Sequence, residues 1–264
     1  MYKRVTYQMD DIRMVSKYYP GNFGAPGVKR ADRRHRTPEE IAKNNERIRI
    51  RKLQRIILAN FRTGRTVHLT YRKEERPETI EEAMKQRKAF LKKMRKECQK
   101  AGIEWKFIIV TERGKRGQAL HHHMIIEDIT EPLDLLRTIS RMWAYGRATS
   151  TKMVEEEDAF ETLADYLLKK ETKTETKTGS VTTYSRSRNL VIPEPKTELI
   201  RRKKWTREPK APAGWDVVRG AVWNSFTPGG WPVQRYMMRK IEEDKSALRS
   251  RDTRPRGTSG GLRS

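Results

Sequence analysis

The spacing of apolar residues divides the chain into alternating helix-like and strand-like stretches. Ile41, Ile48, Leu53, Ile56, Ile57 and Phe61 form a partial apolar stripe interrupted by arginines. This predicts a helix opened by Thr37 as cap, with Pro38 at the first position and Glu39 and Glu40 in the first turn. Thr66–Tyr71 is rich in β-formers and predicts a strand. Ile80, Met84, Leu91, Met94 and Cys98 recur at helical spacings and predict a helix over 79–101, in which Cys98 reads as a small core residue. Trp105–Ile126 reads as two strands joined by a basic, glycine-containing turn, Glu112 to Gln118. Thr130, Glu131 and Pro132 open a further helix whose buried face is Leu135, Leu136, Ile139, Met142 and Trp143. A strand over 148–154 and a helix from Glu156 to Lys170 complete the series.

The order β-α-β-β-α-β, followed by a helix, is the split βαβ arrangement of ferredoxin-like domains. It predicts an α+β fold, an antiparallel sheet with helices on one face and the other face open. The flanks differ. Residues 1–36 mix glycine, proline and basic residues and predict an irregular basic arm; the helix behind it suits either a solvated domain edge or a DNA-facing position. ETKTETKTGS (171–180) reads as a polar link or a loop between two strands, and VTTYSRSRNLVIPEP (181–195) adds an edge strand. Over 215–240, Trp215, Trp223, Trp231 and Tyr236 either stack on bases or anchor an extension to the domain, and the gain from burial favours anchoring. The expected units are 1–63, 64–172, 173–245 and a disordered tail, 246–264.

Charge narrows the class of partner. Lysine and arginine number 59 against 34 acids, a formal net charge of +25. Self-repulsion of that size is relieved by a polyanion, so nucleic acid leads and anionic membrane follows. No apolar run reaches the roughly 18 residues of a membrane span, and MYKRVTYQMD lacks the apolar core of a secretory signal. A single cysteine rules out an intramolecular disulfide or a cysteine-rich zinc finger. A soluble cytoplasmic protein is expected.

The candidate chemistry sits on the strand 119–126, which carries three of the five histidines. Alternation puts Ala119, His121, His123 and Ile125 on one face, and Leu120, His122, Met124 and Ile126 on the other, under helices. His121 and His123 are thus spaced to grip one ion. Glu112, at the end of the preceding strand, can bring a carboxylate beside them; His68, one strand over, is an alternative third ligand. Tyr166, on the last predicted helix, is followed by Lys169 and Lys170, both able to share its face.

Four segments, VHLTY (67–71), TERG (111–114), LHHHM (120–124) and YLLK (166–169), resemble the HUH endonucleases, specifically the single-tyrosine replication-initiation proteins of rolling-circle phages and plasmids. The resemblance covers about 64–172. It implies a nuclease domain with Glu112, His121 and His123 holding Mg2+ or Mn2+, Tyr166 as nucleophile, and Lys169 as the cation of a Tyr-x-x-Lys pattern. The slot between the two ligands, usually hydrophobic in that family, holds His122 here. The implied reaction is a site-specific nick in single-stranded DNA at a replication origin, through a 5′-phosphotyrosine and leaving a 3′-hydroxyl that primes rolling-circle synthesis. The implied setting is a bacterial host cell, with host replication proteins as further partners and neither membrane nor small-molecule cofactor. A transposase or relaxase of the same superfamily, or a non-catalytic nucleic-acid-binding protein, is the alternative. Two histidines and a carboxylate also describe certain oxygenase iron sites, but the charge and the lack of a jelly-roll pattern count against that.

Overall fold

The central helices start where side-chain oxygens can close their first turns. The computed structural model describes residues 1–20, 28–33, 35–113, 119–155, 159–169, 174–176, 179–181 and 184–241, without the side chains of 169, 174–176 and 179–181. The elements begin with β1 (Tyr2–Met9), β2 (Ile12–Tyr18), α1 (Pro38–Asn60), β3 (Arg65–Tyr71), α2 (Ile80–Lys100), β4 (Phe107–Arg113) and β5 (Leu120–Ile126). They continue with α3 (Leu135–Met142), β6 (Gly146–Lys152), α4 (Glu161–Lys169), β7 (Thr174–Thr176), β8 (Gly179–Val181) and β9 (Tyr184–Arg186). The last four are β10 (Pro195–Ile200), β11 (Trp215–Val217), β12 (Trp223–Phe226) and β13 (Pro232–Lys240). Thr37 and Glu40 form a reciprocal capping box on α1, and the Thr79 hydroxyl accepts from the Glu82 amide on α2.

Two helix starts differ from the sequence expectation. α3 opens at Leu135, because Asp134, whose carboxylate accepts from the Arg137 amide at 2.9 Å, makes the better cap than Thr130. α4 opens at Glu161. Residues 156–158, the expected start, lie outside the described residues, and Ala159 and Phe160 have φ of 49° and 65°, incompatible with a right-handed helix.

The central sheet has the order β6-β3-β5-β4-β9, antiparallel throughout, so β3 and β5 are neighbours as the split βαβ pattern requires. The α+β class is observed. β9 is the edge strand anticipated after residue 181. Gly146 starts β6 so close to β3 that a Cβ would lie 2.0 Å from the Thr70 carbonyl oxygen. α2 and α3 cover one face through Phe90, Met94, Leu135, Ile139 and Trp143. The opposite face is not left open as expected. Ile108, Val110 and Ile125 pack there with Leu53 and Ile57 of α1 and with Phe160, Ala164 and Leu167 of α4. The reason is β4 itself: FIIV presents apolar side chains to both faces, and each one fully buried stabilises by about 1.5–3 kcal/mol.

The first 18 residues are not an irregular arm. β1 and β2 form a hairpin around Asp10 and Asp11, with Asp10 at φ 51° supplying the left-handed turn. They lie in a second antiparallel sheet, order β10-β1-β2-β13-β11 with β12 on β13, so segments from either side of the central sheet's sequence meet in one sheet. Basic residues at alternate positions disguise the strands, and their partners lie far away, Tyr2 opposite Ile200 and Ser16 opposite Arg235. Arg62 ties the sheets together by pairing with Asp11 and, at 2.7 Å, with Glu155, which also pairs with Arg239 at 2.6 Å. Anchoring is the observed role of Tyr236, which is buried, of Trp215, which lies under Arg13, and of Trp231, which packs near Tyr19. Trp223 stays exposed. β7 and β8 pair within the polar link, while residues 246–264 lie outside the described residues. Among the described residues no helix is long and apolar enough to cross a membrane.

Candidate active site

Register decides which side chains meet. β4 and β5 pair so that Glu112 faces His121 and Val110 faces His123, while β3 pairs with β5 so that His68 faces His123. Residues opposite one another share a face, so Glu112, His68, His121 and His123 converge. Glu112 Oε2 lies 2.7 Å from His123 Nε2 and 3.3 Å from His121 Nε2, and the two imidazole nitrogens are 3.1 Å apart. His68 touches the His123 ring edge-on, centroids 4.3 Å apart, but is outside this three-atom cluster.

The cluster fits a metal ion. Ligands at about 2.1 Å from an octahedral ion stand about 3.0 Å apart at right angles, close to the three separations present. His121 Nδ1 lies 3.3 Å from the Ala119 carbonyl, which can only accept; that nitrogen carries the proton and leaves Nε2 a bare lone pair. Burial lowers the His123 pKa to about 4, with His68 and His121 adding to it and Glu112 opposing, so the ring is neutral, the form that binds metal. Glu112 and His123 are buried, and His121 is partly open. Glu112, His121 and His123 could thus hold one ion, and two nitrogens with one carboxylate suit Mn2+ as well as Mg2+.

His122 points the other way and is fully buried. Its Nδ1 is 2.9 Å from the Thr111 hydroxyl and its Nε2 2.7 Å from the Tyr71 hydroxyl, while Arg87, itself buried, donates to Thr111 at 2.8 Å. Burial first, then Arg87, holds the His122 pKa well below its ordinary value. Burial likewise pushes the Tyr71 phenol upward and Arg87 down to about 10. This polar network behind the site was missed from sequence, where residues 71, 87, 111 and 122 show no common pattern.

α4 brings the tyrosine to the cluster. Phe160, Ala164 and Leu167 fix the helix in the core, and Tyr166 Oη reaches to 3.4 Å from His123 Nε2, its ring edge-on to that imidazole. Tyr166 is 39% exposed, so its oxygen is accessible to a macromolecular substrate. Lys169 ends α4; its side chain and all of Lys170 lie outside the described residues. An apolar cavity of about 320 Å³, lined by Met153, Val154, Phe160 and Leu163, adjoins the tyrosine.

Residues 65–174 match the family model of the replication-associated protein ORF2. The match runs from β3 through α4, less than half of the chain, and includes the histidines, Glu112 and Tyr166. It is consistent with a replication initiator acting on DNA. Comparison with curated proteins and with solved structures finds no match.

Proposed function

We propose that the chain is a replication-initiation endonuclease that nicks single-stranded origin DNA in the cytoplasm of a bacterial host. The observation that carries this reading is the meeting of Tyr166 Oη with the Glu112–His121–His123 cluster, 3.4 Å from a ligand nitrogen. The proposed units are a nuclease domain at 64–172 with basic additions on both sides. When bound, a divalent ion supplies Lewis acidity to the scissile phosphate. Glu112, His121 and His123 hold that charge in place, and the buried floor of the site excludes bulk water from it.

Tyr166 acts as nucleophile. Its oxygen forms a bond to phosphorus, the bond from phosphorus to the 3′ oxygen breaks, the phenol proton passes to solvent, and the 3′ oxygen leaves as a hydroxyl. The 5′ phosphate stays on Tyr166, and reversal of the same exchange rejoins the strand. Lys169, one helical turn on from Tyr166, is proposed to favour the phenolate or offset phosphate charge. Incubation with origin-derived single strands and Mn2+, followed by denaturing electrophoresis, tests this. A covalent protein–DNA band that requires the metal is expected; its absence with every strand from the cognate replicon overturns the reading.

A further inference from the structure

A groove between α1 and the second sheet has the chemistry of an anion site. It encloses about 340 Å³, with Tyr7, Met14 and Met237 as its floor. Arg47, Arg51 and Arg55 line one wall and Arg235 the other. The three α1 arginines are four residues apart, a rise of about 6 Å each, of the order of the distance between neighbouring phosphates in a nucleic-acid strand. Glu161 is the one carboxylate among the lining residues.

This arrangement is costly without a ligand. Arg51, Arg55 and Arg235 are half-buried, yet among the described residues no carboxylate lies at ion-pair distance from them. Burial lowers the pKa of each; Arg51 and Arg47 add to this at Arg235, as does Arg47 at Arg51 and Arg51 at Arg55. The aromatic groups hold the guanidinium planes rather than neutralise them: Arg55 lies 3.9 Å over the Tyr7 ring and Arg235 5.2 Å over Trp223. Stacked, desolvated arginines suit bidentate binding of phosphate oxygens. Trp223, exposed at the rim, offers a face on which a base can stack.

We propose that this groove binds the phosphodiester backbone of a nucleic-acid strand, held by Arg47, Arg51, Arg55 and Arg235 and flanked by Trp223. As a binding site it stands apart from the metal cluster. Its role as a second grip on the DNA that Tyr166 cleaves rests on the function proposed above, and Glu161 opens the helix that carries Tyr166, joining the two sites through one rigid element.

The test is the affinity of the full chain for a single-stranded 30-mer, by fluorescence anisotropy across a salt series. Arg51→Gln combined with Arg235→Gln should weaken binding on the order of 100-fold at low salt and reduce the slope of log K against log salt by about 1.4, at 0.7 per lost phosphate contact. Unchanged affinity and slope overturn the proposal. If affinity falls while neither wild type nor variant nicks any strand, the groove stands and the cleavage reading fails. Should the variant melt abnormally by circular dichroism, wild-type protein photo-crosslinked to 5-iodouracil DNA gives the answer: a crosslink on Trp223 is expected, and crosslinks confined to other residues overturn the groove.

Discussion

Glu112 and His121 stand directly opposite one another across β4 and β5, with 3.3 Å between carboxylate oxygen and imidazole nitrogen. That pairing makes a metal site out of a hairpin, since a shift of one residue in register would send Glu112 to the helix-covered face.

Removing any of the three donors should abolish tight ion binding. In Glu112→Ala, His121→Ala and His123→Ala, Mn2+ affinity by titration calorimetry is expected to fall by more than the roughly 10–100-fold typical of lost outer partners. His68→Ala, which leaves all three donors, should stay within about tenfold of wild type.

His122→Ala keeps the donors but leaves Tyr71 and Thr111 without their buried partner. A loss of about 2–4 kcal/mol is expected, read as a lower denaturant midpoint. Tyr71→Phe should lose less, and the double variant less than the sum of the two, because both changes break the same 2.7 Å contact.

Tyr166→Phe removes one oxygen from a side chain at the surface. Folding and Mn2+ binding should be unchanged, whereas the covalent DNA adduct should vanish. Tyr145→Phe and Tyr184→Phe should retain the adduct; the Tyr145 ring packs instead against Trp143 at 5.1 Å. An adduct formed by Tyr166→Phe would reassign the nucleophile.

Lys17 gives the second sheet a pH dependence. Burial, with Arg4 adding, lowers its pKa from 10.5 to about 8. Between those values the unfolded chain holds the proton and the folded chain does not, so stability rises with pH across that window and is lost as pH falls through it. Thermal melts should show this rise in wild type and a smaller one in Lys17→Met.

Strand alternation alone was enough to pick His121 and His123 from three adjacent histidines and to turn His122 inward. It could not settle Glu112, because FIIVTER is apolar on both faces, and only the pairing with β5 fixes its direction. Helix starts were legible where a hydroxyl and a glutamate are spaced three apart, as at Thr37 and Glu40, and shifted where a nearer oxygen, that of Asp134, competes. The second sheet was hidden. Its strands carry arginine or lysine at many positions, and their neighbours are close to 200 residues away, beyond the reach of any local pattern.

Because β1 and β2 pair with β10 and β13, the first hairpin must wait for strands made much later. A two-stranded hairpin alone is marginal in water. At about 5–20 residues per second, synthesis leaves Tyr18 without its partner Val233 for roughly 10–45 s. The central sheet, complete once β9 has emerged, has no such delay. A product ending before β13 would therefore carry the histidine–glutamate cluster without the arginine groove, and with an open strand edge on which other chains can aggregate.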